Sequence, residues 1–318
     1  MTRSNLLVAL GAGVAALLGA GSAHAYCRTA SCLEGMPHTE QVCDPPQTTD
    51  CGIPLFWASR CIGYSIQEDA SAQVTFAQTE QVVKSAFASW ASAVCADGGT
   101  PQMLVTEAAP AVCHQHEYNQ TRGNANIIMY HDDTWPYEGQ SNATLALTTV
   151  TYDIDTGEIY DADMELNSAD NHFTLGDTGV DFDLLSIVTH ETGHFQGMAH
   201  SANPEATMWP SYTPGTISLR DLSADDKAGI CAIYPSTPAN SDCNATPRHG
   251  FSPLCAAEQP TPSTSKCSTT VPGNTSSFAP AAGVLAALGA LLFAARRRES
   301  REGLRHHASR RGRSRSCR

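Results

Sequence analysis

Residues 190–200 read His-Glu-Thr-Gly-His-Phe-Gln-Gly-Met-Ala-His, and few stretches restrict a fold as tightly. His190 and His194 lie four apart, so a helix running through them sends both imidazoles from one face toward a single metal ion. Glu191, beside the first histidine, can reach a water on that metal without binding the metal itself. Gly197, three residues after His194, lets the chain leave the helix in a turn that most residues resist. His200 can then return as a third ligand. Three histidines leave the fourth position of a tetrahedral zinc open, which marks a catalytic site; structural sites are closed by four protein ligands.

The flanking pattern is one of strands and helices. Cys61–Ile66 alternates as a strand, and Thr79–Val94 carries Val82, Val83, Ala86, Phe87 and Trp90 at the spacing of an amphipathic helix. Met103–Val105 and Ala125–Tyr130 are short strand candidates. Thr144–Tyr152 and Ile159–Leu166 read as a hairpin around Asp155-Thr-Gly157. Phe182–Gln196 is the metal-bearing helix, and Ser223–Tyr234 is a last helix opened by the cap Ser223-Ala-Asp-Asp226.

From about Leu55 to Pro235 the chain resembles the matrixin family of metzincin zinc endopeptidases. Beyond the three histidines, Ser201 follows the third one as in matrixins. Ala206-Thr-Met208-Trp-Pro-Ser-Tyr212 resembles their Met-turn, and Leu222–Ile230 through Tyr234 resembles their closing helix. The resemblance implies an α+β, zincin-like catalytic domain: a twisted mixed sheet, three main helices and an irregular C-terminal subdomain. It further implies one catalytic Zn2+ on His190, His194 and His200, Glu191 as general base, Met208 beneath the imidazoles, and protein or peptide substrates. Residues 144–148 would pair with the substrate backbone, and the segment after Met208, through Tyr212 and Gly215, would line the main specificity pocket.

The chain also departs from the family. His131 and Asp133 match part of a second, structural zinc site, but Leu147 and Asp163 stand where further histidines are expected, which puts that zinc in doubt. Asp161, Asp163 and Glu165 alternate along one strand and share a face. Such a row suits Ca2+, which takes hard oxygen ligands, and equally suits a solvated acidic strand face; both readings stay open. Cys51-Gly-Ile-Pro54 is similar to the family's inhibitory cysteine switch, yet it stands close to the first strand, where an ordinary disulfide is expected.

Composition sets the address. Residues 1–25 combine Arg3, an apolar run and Ala23-His24-Ala25, the pattern of a signal peptide. Residues 26–54 form a cysteine-rich extension, 55–236 the catalytic domain, and 237–277 a Ser/Thr/Pro-rich linker. Residues 278–295 are uncharged and apolar, long enough for a short transmembrane or sorting-signal helix, and the Arg-rich tail 296–318 would stay cytoplasmic. Cys267, that span and the arginines resemble the three-part C-terminal sorting signals of the bacterial MYXO-CTERM type, which place a chain at the cell surface or release it.

Twelve cysteines with no paired CxxC spacing imply a disulfide framework in an oxidising compartment. Cys95 and Cys113 bracket a helix end and a following strand and read as one pair. The net charge is −13. The tail's ten arginines against Glu299 and Glu302 carry +8 of it, leaving −21 on the rest. An acidic exported body argues against nucleic acid as a partner. The alternative from another class is a surface binding or adhesion module that keeps the fold with a structural zinc.

Overall fold

The computed structural model describes residues 26–32, 41–137, 144–237 and 243–259; the expected signal peptide, apolar span and basic tail lie outside the described residues. Two short strands open the chain, β1 (Cys27–Thr29) and β2 (Gln41–Cys43). The main body follows as β3 (Cys61–Ile66), α1 (Phe76–Ala91), β4 (Leu104–Glu107), β5 (Ile127–Tyr130), β6 (Ala146–Tyr152) and β7 (Ile159–Leu166). After β8 (Phe173–Thr174) and β9 (Phe182–Asp183) come α2 (Leu184–Phe195), β10 (Met198–Ala199) and α3 (Ala224–Ile233).

The central sheet has the order β4-β3-β5-β7-β6. Four strands are parallel, and β6 runs antiparallel to β7 at the edge. This is the α+β architecture with a mixed sheet and three helices that the resemblance implies. Among the described residues no strand pairs with the outer side of β6, and such an edge can accept another strand.

The two long helices pack against each other, with α1 also touching β3 and α2 touching β6 and β7. α1 begins at a capping box between Thr75 and Gln78, which satisfies backbone donors that the first turn would leave orphaned. Its apolar stripe then buries Val82, Val83, Ala86, Phe87 and Trp90. The box sets the start three residues earlier than the apolar period suggests. The helix stops at Ser92, and Val94 is left exposed. Trp90 is fully buried, and its indole N–H donates to the Thr189 carbonyl of α2 at 2.8 Å. Each such side chain contributes roughly 1.5–3 kcal/mol by leaving water. α2 starts at Leu184, two residues later than expected, because Phe182–Asp183 pairs with Phe173–Thr174 and Asp183 caps the helix through Ser186 N–H.

Among the described residues, five disulfides fasten the outer segments: Cys27–Cys43, Cys32–Cys51, Cys61–Cys243, Cys95–Cys231 and Cys113–Cys255. The expected Cys95–Cys113 pair does not form. Cys95 follows α1 and faces Cys231 on α3, whereas Cys113 faces the segment near residue 255. Residues 243–259, part of the compositional linker, lie along the domain: Val112 N–H donates to Pro253 O, and Asn124 pairs with Phe251. Among the described residues, no helix is long and apolar enough to cross a membrane.

Candidate metal centre

α2 delivers His190 and His194, and a sharp turn brings back His200. Gly197 takes φ +97°, in the left-handed region, and a Cβ there would lie 2.8 Å from the Leu55 carbonyl oxygen. The ligand-capable nitrogens of the three histidines all lie within 4.8 Å of one another. His194 Nε2 and His200 Nε2 are 3.2 Å apart. Two ligands each about 2.0–2.1 Å from a tetrahedral zinc are themselves about 3.3 Å apart, so the spacing fits that ion.

Two of the remaining ring nitrogens are committed. His190 Nδ1 meets the Thr207 carbonyl at 2.7 Å and His194 Nδ1 the Met198 carbonyl at 3.0 Å. Each Nδ1 carries the proton in these contacts, which turns the Nε2 lone pair toward the common centre. Burial, then the neighbouring imidazoles of His190 and His200, push His194 well below the ordinary histidine range, and burial with His190 pushes His200 down to about 4. Neutral imidazoles are the form a metal requires.

Glu191 is buried beside the histidines and lines the cleft with them. Its Oε2 accepts a 2.6 Å hydrogen bond from the Thr148 hydroxyl on β6. Burial raises the carboxyl above its usual range, partly offset by His190 and by the Thr148 bond. Met208 is fully buried and packs on α2 at Gly193, where a Cβ would come within 2.3 Å of its sulfur. Asp226, in the first turn of α3, fixes this turn by accepting from Thr207 N–H at 2.7 Å and Met208 N–H at 3.0 Å.

A cleft of about 570 Å³ opens beside His190, Glu191 and His200. Thr144–Ala146 forms one wall and Trp209–Tyr212 with Pro214 the other. The Tyr212 hydroxyl holds that loop by donating to Thr216 O and accepting from Asp183 N–H. Arg220 grips Asp183 with two bonds of 2.8 and 2.6 Å. Thr148, Arg220 and Asp226 carry no motif of their own, so nothing local signals these roles beyond the helix cap that includes Asp226.

The acidic row sits elsewhere and is buried. Asp161, Asp163 and Glu165 are 2%, 2% and 1% exposed, which rules out a solvated strand face. Asp163 accepts from Ile127 N–H and Glu117 N–H. Glu165 meets His131 Nε2 at 2.8 Å, His116 Nδ1 at 3.1 Å and the Tyr137 hydroxyl. Asp161 keeps one oxygen, Oδ1, buried and without a hydrogen-bond partner. Among the described residues, the sets of three or more potential ligand atoms that converge are His190/His194/His200 and Cys113/Glu117/Cys255, the latter with its sulfurs joined in a disulfide. His131 is thus engaged by Glu165, Asp133 is exposed, and Leu147 pairs opposite Glu165. These residues do not fit the family's second zinc. Cys51 is bonded to Cys32, so its thiol is not free to cap the first one.

Comparison with known proteins agrees with this geometry. Human neutrophil collagenase is 27% identical over 239 residues, covering 67% of this chain and 45% of its own length. Rat matrilysin is 27% identical over 221 residues, 63% of this chain and 72% of its own length. Human matrix metalloproteinase-20 is 26% identical over 200 residues, 58% of this chain and 35% of its own length. The chain therefore spans less than half the length of the two human relatives. The matrixin family profile matches residues 56–235, more than half of the sequence. The chain belongs to the matrixin family and has its metzincin fold.

Proposed function

We propose that this protein is an exported zinc endopeptidase in which Glu191 is the general base. The observation that carries the reading is the convergence of three imidazoles at the floor of a cleft, with a buried carboxylate beside them. Zinc bound there would supply Lewis acidity, bringing the pKa of a nearby water to about 7 and polarising a peptide carbonyl. Glu191 Oε2 is taken by Thr148, so Oε1 is the oxygen left to receive a proton and later pass it to the leaving amine. The free edge of β6 accepts the substrate backbone as an added antiparallel strand. That requirement restricts substrates to extended or unfolded segments. The loop from Trp209 to Pro214 shapes the pocket for the residue after the cut.

The address is part of the same proposal. Residues 1–25 act as a signal peptide, and five disulfides suit an oxidising compartment. Residues 278–295 then anchor the chain or serve as a sorting signal of the bacterial MYXO-CTERM type, placing the catalytic domain outside the membrane. The unpartnered Asp161 Oδ1 next to Asp163 marks a buried position that holds a proton, with Ca2+ as the competing occupant. The rival function, an adhesion module with a structural zinc, has no use for a base in a cleft. Casein zymography with and without a chelator decides: a clear band abolished by the chelator is expected, and no clearing at all would favour the rival.

A further inference from the structure

A second recess of about 230 Å³ continues the cleft past His194 and His200, and two of its lining residues, Thr29 and Gln41, come from the N-terminal extension. The extension reaches this place because β1 adds antiparallel to β10, the two-residue strand directly before His200, and β2 adds to β1. Thr29 is tied twice, by its N–H to Gly197 O at 2.9 Å and by its hydroxyl to Met198 O at 2.9 Å. Cys27–Cys43 staples β1 to β2, and Cys32–Cys51 closes the following loop. The segment is thus built into the metal-site turn. By contrast the Gln41 amide has one weak contact, 3.3 Å from its nitrogen to Cys43 sulfur.

The direction of a substrate follows from β6. That strand starts at Ala146 beside the Tyr212 cleft and passes Thr148 and Val150 in the second recess. A peptide added antiparallel to it runs the other way, entering at the second recess and leaving along the Tyr212 cleft. Residues before the scissile bond therefore lie against Gln41. At about 3.3 Å per residue, the stretch from Ala146 to Val150 accommodates about four of them.

We infer that the disulfide-stapled N-terminal segment is a permanent wall of the substrate cleft, and that Gln41 is a specificity-determining residue for side chains N-terminal to the cut. The inference rests on the proteolytic reading above. Gln41 is partly exposed on a short strand, so changing its charge leaves the packing of the core alone.

The test is charge reversal. Peptide libraries varied at four positions on each side of the bond are offered to the full exported chain and to its Gln41→Lys and Gln41→Glu variants. At one or more positions before the cut, Gln41→Lys shifts the Glu-to-Lys preference up and Gln41→Glu shifts it down, by about tenfold between the two variants. Positions after the cut keep their preferences. Cleavage with identical upstream profiles in all three chains overturns the inference and leaves the protease reading intact. The same peptides are then bound to Glu191→Gln chains carrying each Gln41 variant. Charge-reversed affinity without hydrolysis by the parent would keep the wall and reject the protease, and neither cleavage nor binding would reject both. N-terminal sequencing adds a final check: an active mature chain that lacks residues 26–54 overturns the inference.

Discussion

Thr148 on the edge strand donates a 2.6 Å hydrogen bond to Glu191 Oε2, and the same hydroxyl lies 3.3 Å from the Glu191 carbonyl oxygen. The bond fixes which carboxylate oxygen faces the cleft. It also joins the substrate-pairing strand to the proposed base, so backbone pairing and proton transfer share one rigid unit.

Thr148→Val keeps the β-branched shape and removes the hydroxyl. We expect kcat to fall about tenfold, corresponding to about 1.4 kcal/mol, with zinc content and KM little changed. Thr148→Ser should restore most of the rate. Steady-state kinetics with metal analysis checks this; an unaltered kcat in the valine variant would mean that Thr148 does not position Glu191.

Gly193→Ala sets two effects against each other. Alanine gains about 1 kcal/mol of helix propensity over glycine, but its Cβ would lie 2.3 Å from Met208 sulfur and 2.7 Å from the Trp90 ring. The methionine can yield. The indole cannot, since Thr189 holds it. Overpacking costs about 1–3 kcal/mol, so the melting temperature should drop by a few degrees and zinc retention should weaken. A stabilised variant would contradict the packing described.

Arg220→Ala leaves the buried Asp183 carboxylate without its two-bond partner. The loss should be about 3 kcal/mol, read by chemical denaturation. Because Asp183 N–H also bonds the Tyr212 hydroxyl, KM should rise more than kcat falls.

The buried acidic row predicts a pH profile for stability. Burial and then Asp163 hold Asp161 well above the usual carboxylate range, and burial also raises Asp163, to about 7. Raised acids bind protons in the folded state that the unfolded chain has released, so stability falls as pH rises from about 4 through 7. Burial alone would raise Glu165 too, but hydrogen bonds from His116, His131 and Tyr137 reverse this and hold it at about 2. Its contribution is present above about 4.5 and is lost as pH drops toward 2. Asp161→Asn should therefore flatten the decline in melting temperature between pH 5 and 8. Calcium added to chelated protein should shift neither chain. A calcium-dependent rise in the parent that vanishes in Asp161→Asn would instead identify calcium as the occupant.

Much of this was legible in the residues because the chemistry is local. Helical spacing brings His190 and His194 together, one glycine turns the chain back to His200, and hairpin alternation sets β6 against β7. The remainder depends on contacts distant in sequence. Nothing near Thr148 signals that it meets Glu191, 43 positions away. His116 gives no sign that it joins Glu165. Residues 26–54 read in sequence only as a cysteine-rich extension, because the pairing of β1 with β10 joins Cys27 to Ala199 and involves two residues on each strand. Disulfide partners escaped for the same reason, as Cys95–Cys231 closes across 136 residues.

The central claim is that Glu191 moves the proton at a zinc held by three histidines. Zinc content and casein hydrolysis of the Glu191→Gln chain test it most directly. The account predicts one zinc per chain, as in the parent, with hydrolysis reduced at least a thousandfold, about 4 kcal/mol. Full hydrolysis with zinc retained would contradict it.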